Sequence, residues 1–317
     1  MASVLPLEPP QRLSRALAAQ QGAPAAAAAQ NWLRELPALL ERWLREWELE
    51  AERVVTPGGR SSVVVLVRQA DGTPAALKLP APDGAPAPVR TAREYAALTA
   101  WHGLGAVRVL RAAPEEGVLL LERLRCEVSL RSLAEAKATL EAVSVVRRLW
   151  VPPAAGHGLE TVAEHTALEA AQMRSWVPPD AEPLVAAALE ARAAMLAEPA
   201  EGEQVMLHGD FRQGAVLASA GSGERAHWLT VGPDPLVGEP AYDLARLVRD
   251  RLHDLMASSG APAATRRRVN KLADSLDVPR ERVRHWTLYR AVESACRQYA
   301  GGGTADAEML LEFAAWL

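Results

Sequence analysis

A carboxylate placed to accept a proton stands in the stretch His208-Gly209-Asp210-Phe211-Arg212-Gln213-Gly214-Ala215-Val216-Leu217. An aspartate in a glycine-marked turn ahead of an apolar segment can take the proton of an attacking hydroxyl. Two further groups suit an anionic co-substrate. Lys78, within Ala75-Ala76-Leu77-Lys78-Leu79, and Glu94, within Arg93-Glu94-Tyr95-Ala96, follow the order in which a strand lysine meets nucleotide phosphates and a helix glutamate. Gly58 and Gly59, then Ser61 and Ser62, precede a β-branched run and offer backbone amides and hydroxyls that could cover phosphates. These are the parts of phosphoryl transfer from a nucleotide to a hydroxyl. One part is missing: such a loop carries a metal-holding Asn five residues past its Asp, and Ala215, with no side-chain oxygen, stands there.

Each feature has a plainer alternative. Pro57-Gly58-Gly59 also suits an ordinary hairpin turn, and a strand lysine is commonly a solvated edge charge. Leu119-Leu120-Leu121-Glu122-Arg123-Leu124 reads as a hinge whose backbone, around Glu122, could bond an adenine edge, or simply as a buried strand ending at a domain boundary. His208 is expected to tie the loop by hydrogen bonds. Asp243, just after Pro240, suits the first turn of a helix.

The elements that must position these groups follow from periodicity. From Asn31 a helix is predicted, with Trp32, Leu33, Leu36, Leu39, Leu40, Trp43, Leu44 and Trp47 at helical spacing and charges of both signs on the other face. Residues 63–67 and 75–79 read as a hairpin around Asp71-Gly72. A helix is expected over 91–101, then short strands over 107–110 and 117–121. Beyond about residue 125 the pattern turns helical, over 133–149, 159–176, 184–196, 266–276 and 280–299, interrupted by the Asp210 loop and a hairpin of 215–217 with 227–231. The expected division is a flexible tail over 1–30, which holds the low-complexity run 23–29, a nucleotide-binding lobe over 31–124 and a helical lobe over 125–317.

Composition narrows the classes. The chain has 317 residues and a net charge of −4, with a pI of about 6.0, so no basic field points to nucleic acid. No apolar run reaches the roughly 20 residues needed to span a bilayer. The N-terminus has no basic region followed by an apolar core, so no secretion signal is expected and the location predicted is cytoplasmic. Cys126 and Cys296 are the two cysteines, spaced for neither a disulfide framework nor a zinc site.

A longer segment makes the pattern specific. Trp228-Leu229-Thr230-Val231-Gly232-Pro233-Asp234-Pro235-Leu236-Val237-Gly238-Glu239-Pro240-Ala241-Tyr242-Asp243-Leu244-Ala245-Arg246 resembles the aminoglycoside phosphotransferases, and more narrowly the streptomycin 6-kinase and hydroxyurea phosphotransferase family. Segments 31–37, 101–108 and 280–286 are similar to that family too, so the likeness spans nearly the whole chain. The resemblance implies an α+β, two-lobed protein-kinase-like fold, with a small antiparallel β lobe and a larger, mainly helical lobe. It implies Asp210 as the catalytic residue, nucleotide contacts from Gly59, Ser61, Ser62, Lys78, Glu94 and Glu122, ATP as the cofactor, a hydroxylated cationic small molecule as acceptor, and antibiotic resistance as the setting. In that family the aspartate matching Asp243 braces the catalytic loop.

The same comparison marks a second departure: the family's principal magnesium ligand falls where this chain has Gly232. Magnesium thus lacks both of its usual protein ligands, and no metal ligand is assigned. Asp234, Gln213 and Glu239 are nearby oxygens that could substitute. A two-residue shift along a strand moves a group by about 6.6 Å, and Pro233 and Pro235 stiffen that path. Two readings stand: a small-molecule O-phosphotransferase with an eroded metal site, or a pseudokinase kept as a binding or scaffolding module with a protein partner. Carboxylates available to a cationic acceptor are Glu160, Glu164, Asp250, Asp254 and Glu293.

Overall fold

The computed structural model of the chain describes residues 7–20, 22–82, 85–175, 181–198, 204–221 and 226–317. It divides into two compact units, Met1–Glu127 with Leu217–Leu229, and Val128–Val216 with Thr230–Leu317.

The first unit opens with helices α1 (Gln11–Ala18) and α2 (Ala23–Glu46). The loose tail expected over 1–30 is corrected for the described residues, while residues 1–6 and 21 lie outside them. The alanine run supplies the first turns of α2, because alanine is the strongest helix former and a proline in the first turn has no N–H to lose. Leu13 and Leu17, one helical turn apart, are buried with Trp32, Leu36, Leu40 and Trp43. Five strands follow in the sheet order β1-β2-β3-β5-β4: β1 (Glu50–Val54), β2 (Ser62–Arg68), β3 (Pro74–Pro80), β4 (Val109–Ala113) and β5 (Val118–Glu122). Every pairing is antiparallel. Val63, Val65 and Val67 alternate onto the face shared with Leu77, Leu79 and Leu120, and that face closes on α1 and α2. Helix α3 (Ala87–Trp101) lies between β3 and β4 in sequence and buries Thr91, Glu94, Ala97, Leu98 and Trp101. β1 was not foreseen, since Glu50-Ala51-Glu52-Arg53-Val54 is an edge strand of mostly charged residues.

Three short strands, β6 (Arg125–Ser129), β8 (Val216–Ala218) and β9 (Trp228–Thr230), form a sheet in the order β6-β8-β9. The second unit is mainly helical: α4 (Glu135–Leu149), α5 (Val162–Met173), α6 (Glu182–Ala197), α7 (Pro240–Val248), α8 (Leu252–Met256), α9 (Ala261–Leu276), α10 (Arg280–Ala300) and α11 (Thr304–Ala314). The helix expected over 159–176 begins later, at the capping box of Thr161 and Glu164, and residue 176 lies outside the described residues. α10 is the central post, with Trp286 and Tyr289 fully buried and Trp286 edge-on to Tyr242, ring centroids 5.2 Å apart. A two-stranded ladder pairs β7 (Val205–Leu207) with β10 (Leu236–Gly238), Leu207 opposite Leu236. No helix among the described residues is long and apolar enough to cross a membrane.

Candidate functional site

In the first unit, β3 is a central strand, so Lys78 lies opposite Val64 on one side and Leu119 on the other. It is 7% exposed and Glu94 is 3% exposed. Lys78 Nζ donates to Glu94 Oε1 and Oε2 at 2.5 and 2.6 Å. The solvated edge-charge alternative therefore fails. The turn ahead of β2 needs a glycine at Gly58, where φ is +66° and a Cβ would come within 2.9 Å of the Val55 carbonyl. Gly59 is open, with nothing nearer to a Cβ than Ser62 Oγ at 3.9 Å. The Ser61 carbonyl accepts from Ala81 N at 2.9 Å and from Arg90 at 3.3 Å, which ties the base of the turn to the end of β3. Glu122 turns back on the backbone, accepting from Arg108 N at 2.8 Å.

In the second unit, the β7–β10 ladder delivers His208-Gly209-Asp210 beside residue 234. Asp234 N donates to the His208 carbonyl at 2.9 Å. Gly209 has φ +76°, and a Cβ there would come within 1.8 Å of the Asp234 carbonyl oxygen, so only glycine fits. Asp243, buried in the first turn of α7, accepts from His208 N at 2.9 Å, from Gly209 N at 2.8 Å and from Trp150 Nε1 at 3.3 Å. Burial pushes its carboxyl up from the usual range, and the two loop N–H groups oppose that rise. Arg290 completes the brace by donating to the Gly209 carbonyl at 2.7 Å. His208 is fully buried. Its Nδ1 accepts from Asp210 N at 3.3 Å, which leaves Nε2 as the protonated nitrogen facing Thr230 Oγ1 at 2.8 Å. Thr230 Oγ1 in turn donates to the Ala215 carbonyl at 3.1 Å. His208 and Asp243 thus position the loop.

Asp210 is held by residues that sequence reasoning missed. Arg246, on α7, reaches Oδ1 at 2.6 Å, and Arg212 reaches Oδ2 at 3.1 Å. Burial by itself would raise the Asp210 carboxyl, but Arg246, Arg212 and Arg290 hold it well below the usual carboxylate range. One signal was available. Arg246 falls three residues after Asp243, on the helix face of the residue that braces the loop.

The substitute oxygens are mostly engaged. Gln213 is fixed at both ends, its N–H donating to Asp250 Oδ2 at 2.5 Å and its Oε1 accepting from Arg251 Nε at 2.8 Å. Glu239 Oε1 accepts from Trp286 Nε1 and Arg282, both at 2.6 Å. Asp234 has an exposed side chain. No group of three or more His, Cys, Asp or Glu side chains arranged to hold a metal exists among the described residues. Of the acceptor carboxylates, Glu164 closes the α5 capping box, Glu160 faces His165 at 3.4 Å, Glu293 pairs with Arg297 at 3.3 Å, and Asp250 and Asp254 line a cavity of 680 Å³ with Gln213 and Lys271.

A model of the family described as aminoglycoside/hydroxyurea antibiotic resistance kinase matches residues 46–302. The chain belongs to that family. It is 35% identical over 281 residues to a streptomycin 6-kinase of Streptomyces griseus, covering 87% of each chain. Against a hydroxyurea phosphotransferase of Kitasatospora aureofaciens it is 34% identical over 288 residues, covering 88% of this chain and 78% of that protein. Among solved structures, a choline kinase from Streptococcus pneumoniae superposes with a TM-score of 0.61 at 12% identity, covering 89% of this chain and 99% of that one. That likeness is one of fold: the small antiparallel sheet with a mostly helical remainder is the α+β architecture of this family and of kinase-like proteins.

Proposed function

We propose that this member of the family is an ATP-dependent small-molecule O-phosphotransferase with an eroded magnesium site, acting on a hydroxylated cation of the streptomycin type. The observation that carries this reading is the buried Lys78–Glu94 pair. Desolvation offsets most of the attraction in a buried ion pair, so such a pair is a poor source of stability. It is, however, the arrangement that presents an ammonium to phosphate oxygens. ATP would supply the transferable phosphoryl group, Gly59, Ser61 and Ser62 would cover its phosphates, and the backbone at Glu122 would meet the base. Asp210 would orient the acceptor hydroxyl and take its proton, weakly, because a carboxyl held this acidic is a poor base. The donor set does not suit magnesium: Ala215 and Gly232 offer no side-chain oxygen, and Gln213 and Glu239 are committed elsewhere.

A second reading, a pseudokinase that binds ligands without transferring phosphate, is favoured by the two guanidiniums that occupy Asp210. Transfer assays with radiolabelled ATP, with streptomycin and hydroxyurea as acceptors and with magnesium or a chelator, separate the two. The first reading expects slow transfer that needs Asp210 and Lys78 and changes little on chelation. An ordinary kinase rate of about 1–100 s⁻¹ that collapses on chelation would sink the eroded-site claim. Nucleotide binding with no transfer selects the pseudokinase. Absence of nucleotide binding removes both. Ala215→Asn with Gly232→Asp should raise transfer, since Gly232 has φ +64° and aspartate tolerates that region better than most residues.

A further inference from the structure

We infer that Arg212 and Arg246, the pair that grips Asp210, form a metal-free binding site for a phosphoryl oxyanion within the second unit. The inference goes beyond the proposed transfer and stands whether or not turnover occurs. Two guanidiniums meet one carboxylate, at 2.6 Å and 3.1 Å. Arginine stays charged at any physiological pH, so the contact carries an excess of one positive charge. A third guanidinium adds to the field at Asp210: Arg290 donates to the Tyr242 carbonyl at 3.2 Å and the Gly209 carbonyl at 2.7 Å, and its guanidinium lies 4.2 Å from the centre of the Tyr242 ring. Burial lowers the Arg246 pKa first, and repulsion from Arg290, Arg212 and Arg297 lowers it further while Asp210 opposes. Of the other carboxylates in the unit, Asp243 is engaged by the loop N–H groups, Glu293 by Arg297 and Glu169 by His165, while Asp250, which accepts from Gln213 N at 2.5 Å, also feels Arg212 and Arg246 and offsets part of their charge.

The two gripping side chains are reachable. Arg212 is 42% exposed, Arg246 21% and Asp210 30%. Each guanidinium has five N–H donors in a fork that matches two oxygens of a phosphate, and a single carboxylate uses only part of that capacity. Gly214 keeps the approach clear, since even a Cβ there would stand 3.0 Å from Arg212 Nη1. Two residues with no side-chain oxygen, Ala215 and Gly232, flank a loop whose positive charge comes from arginine. A tetrahedral dianion is the ligand this arrangement complements, either as free phosphate or as the phosphate of a nucleotide or phosphorylated product.

The test uses the full chain in a chelator at constant ionic strength, with binding followed by calorimetry. Inorganic phosphate should bind saturably, in about the millimolar range or tighter. Arg212→Ala, an exposed change that spares the fold, should weaken it about tenfold or more, as loss of a charge-assisted hydrogen bond requires. Asp210→Asn should tighten it by releasing both guanidiniums. Phosphate that fails to bind, or binding that Arg212→Ala leaves unchanged or that appears only with magnesium, overturns the inference. Adenosine, which has no phosphate, reports on the nucleotide site alone: adenosine binding without phosphate binding rejects this site and keeps the nucleotide reading, and the reverse keeps this site and rejects that reading. A tighter chelator-resistant response to ATP than to phosphate, lost in Arg212→Ala, identifies the nucleotide tail as the source. Equal responses to phosphate and a sugar phosphate identify free phosphate or product.

Discussion

Asp210 and Asp243 sit close in the same loop network yet are pushed in opposite directions, and the difference is one of partners. Asp243 is buried against neutral N–H donors, so desolvation dominates and its carboxyl rises. Asp210 meets guanidiniums, which outweigh burial and hold it down. A carboxyl whose folded pKa lies below its unfolded value stabilises the fold above the unfolded range, near pH 4, and loses that contribution as pH falls toward the folded value. Urea midpoints of the parent chain and Asp210→Asn should therefore differ by a constant amount at and above about pH 5 and converge only as pH drops below about 4. A gap that widens on acidification would reject the clamp as a source of stability. Lys78 and Glu94 show the cost of a buried charge more directly. Lys78→Met leaves Glu94 unpaired and should cost about 3–5 kcal/mol, whereas adding Glu94→Leu should recover most of it. Equal losses in single and double variants would show that the pair is not coupled.

At the scale of elements, two contacts carry the arrangement. The His208–Asp210 turn depends on the approach of its backbone to that of Asp234, whose carbonyl oxygen lies only 1.8 Å from where a Gly209 Cβ would stand. Gly209→Ala adds a left-handed penalty of about 1–2 kcal/mol to that clash, so a loss above about 2 kcal/mol in chemical denaturation is expected. A smaller loss would mean that the turn relaxes. The other contact is α1 on the sheet of the first unit. Leu13 and Leu17 are 0% and 2% exposed, and truncating either to alanine should cost about 2–5 kcal/mol by leaving a cavity. Stability unchanged in both variants would return this segment to the status of a tail.

For the molecule as a whole, the proposed transfer turns on what would offset the phosphate charge of a nucleotide. Members of kinase-type sites offset phosphate charge with a metal held by side-chain oxygens. Here guanidiniums meet Asp210 instead, from Arg212 on the loop and Arg246 on α7. ATP should therefore raise the melting temperature of the full chain by the same amount with magnesium or with a chelator. A shift seen only with magnesium would mean that Asp234, whose side chain is exposed, holds the ion after all.

Local pattern determined a great deal by itself. The order of Lys78, Glu94 and Asp210, the β2–β3 hairpin and the long helices were legible because strands repeat every two residues and helices every 3.6. Segment 31–46 was read as helix for that reason, while the alanine turns ahead of it were missed because low complexity masked a strong helix propensity. Tertiary structure alone decided who meets whom. Gln213 looked like a spare oxygen until Arg251, 38 residues on, bonded it. Glu239 looked likewise until Arg282, 43 residues on, took it. Asp210 looked like an open base until α7 folded back and brought Arg246 onto it. Such pairings follow from loop closure and packing across many residues, and no short-range spacing encodes them.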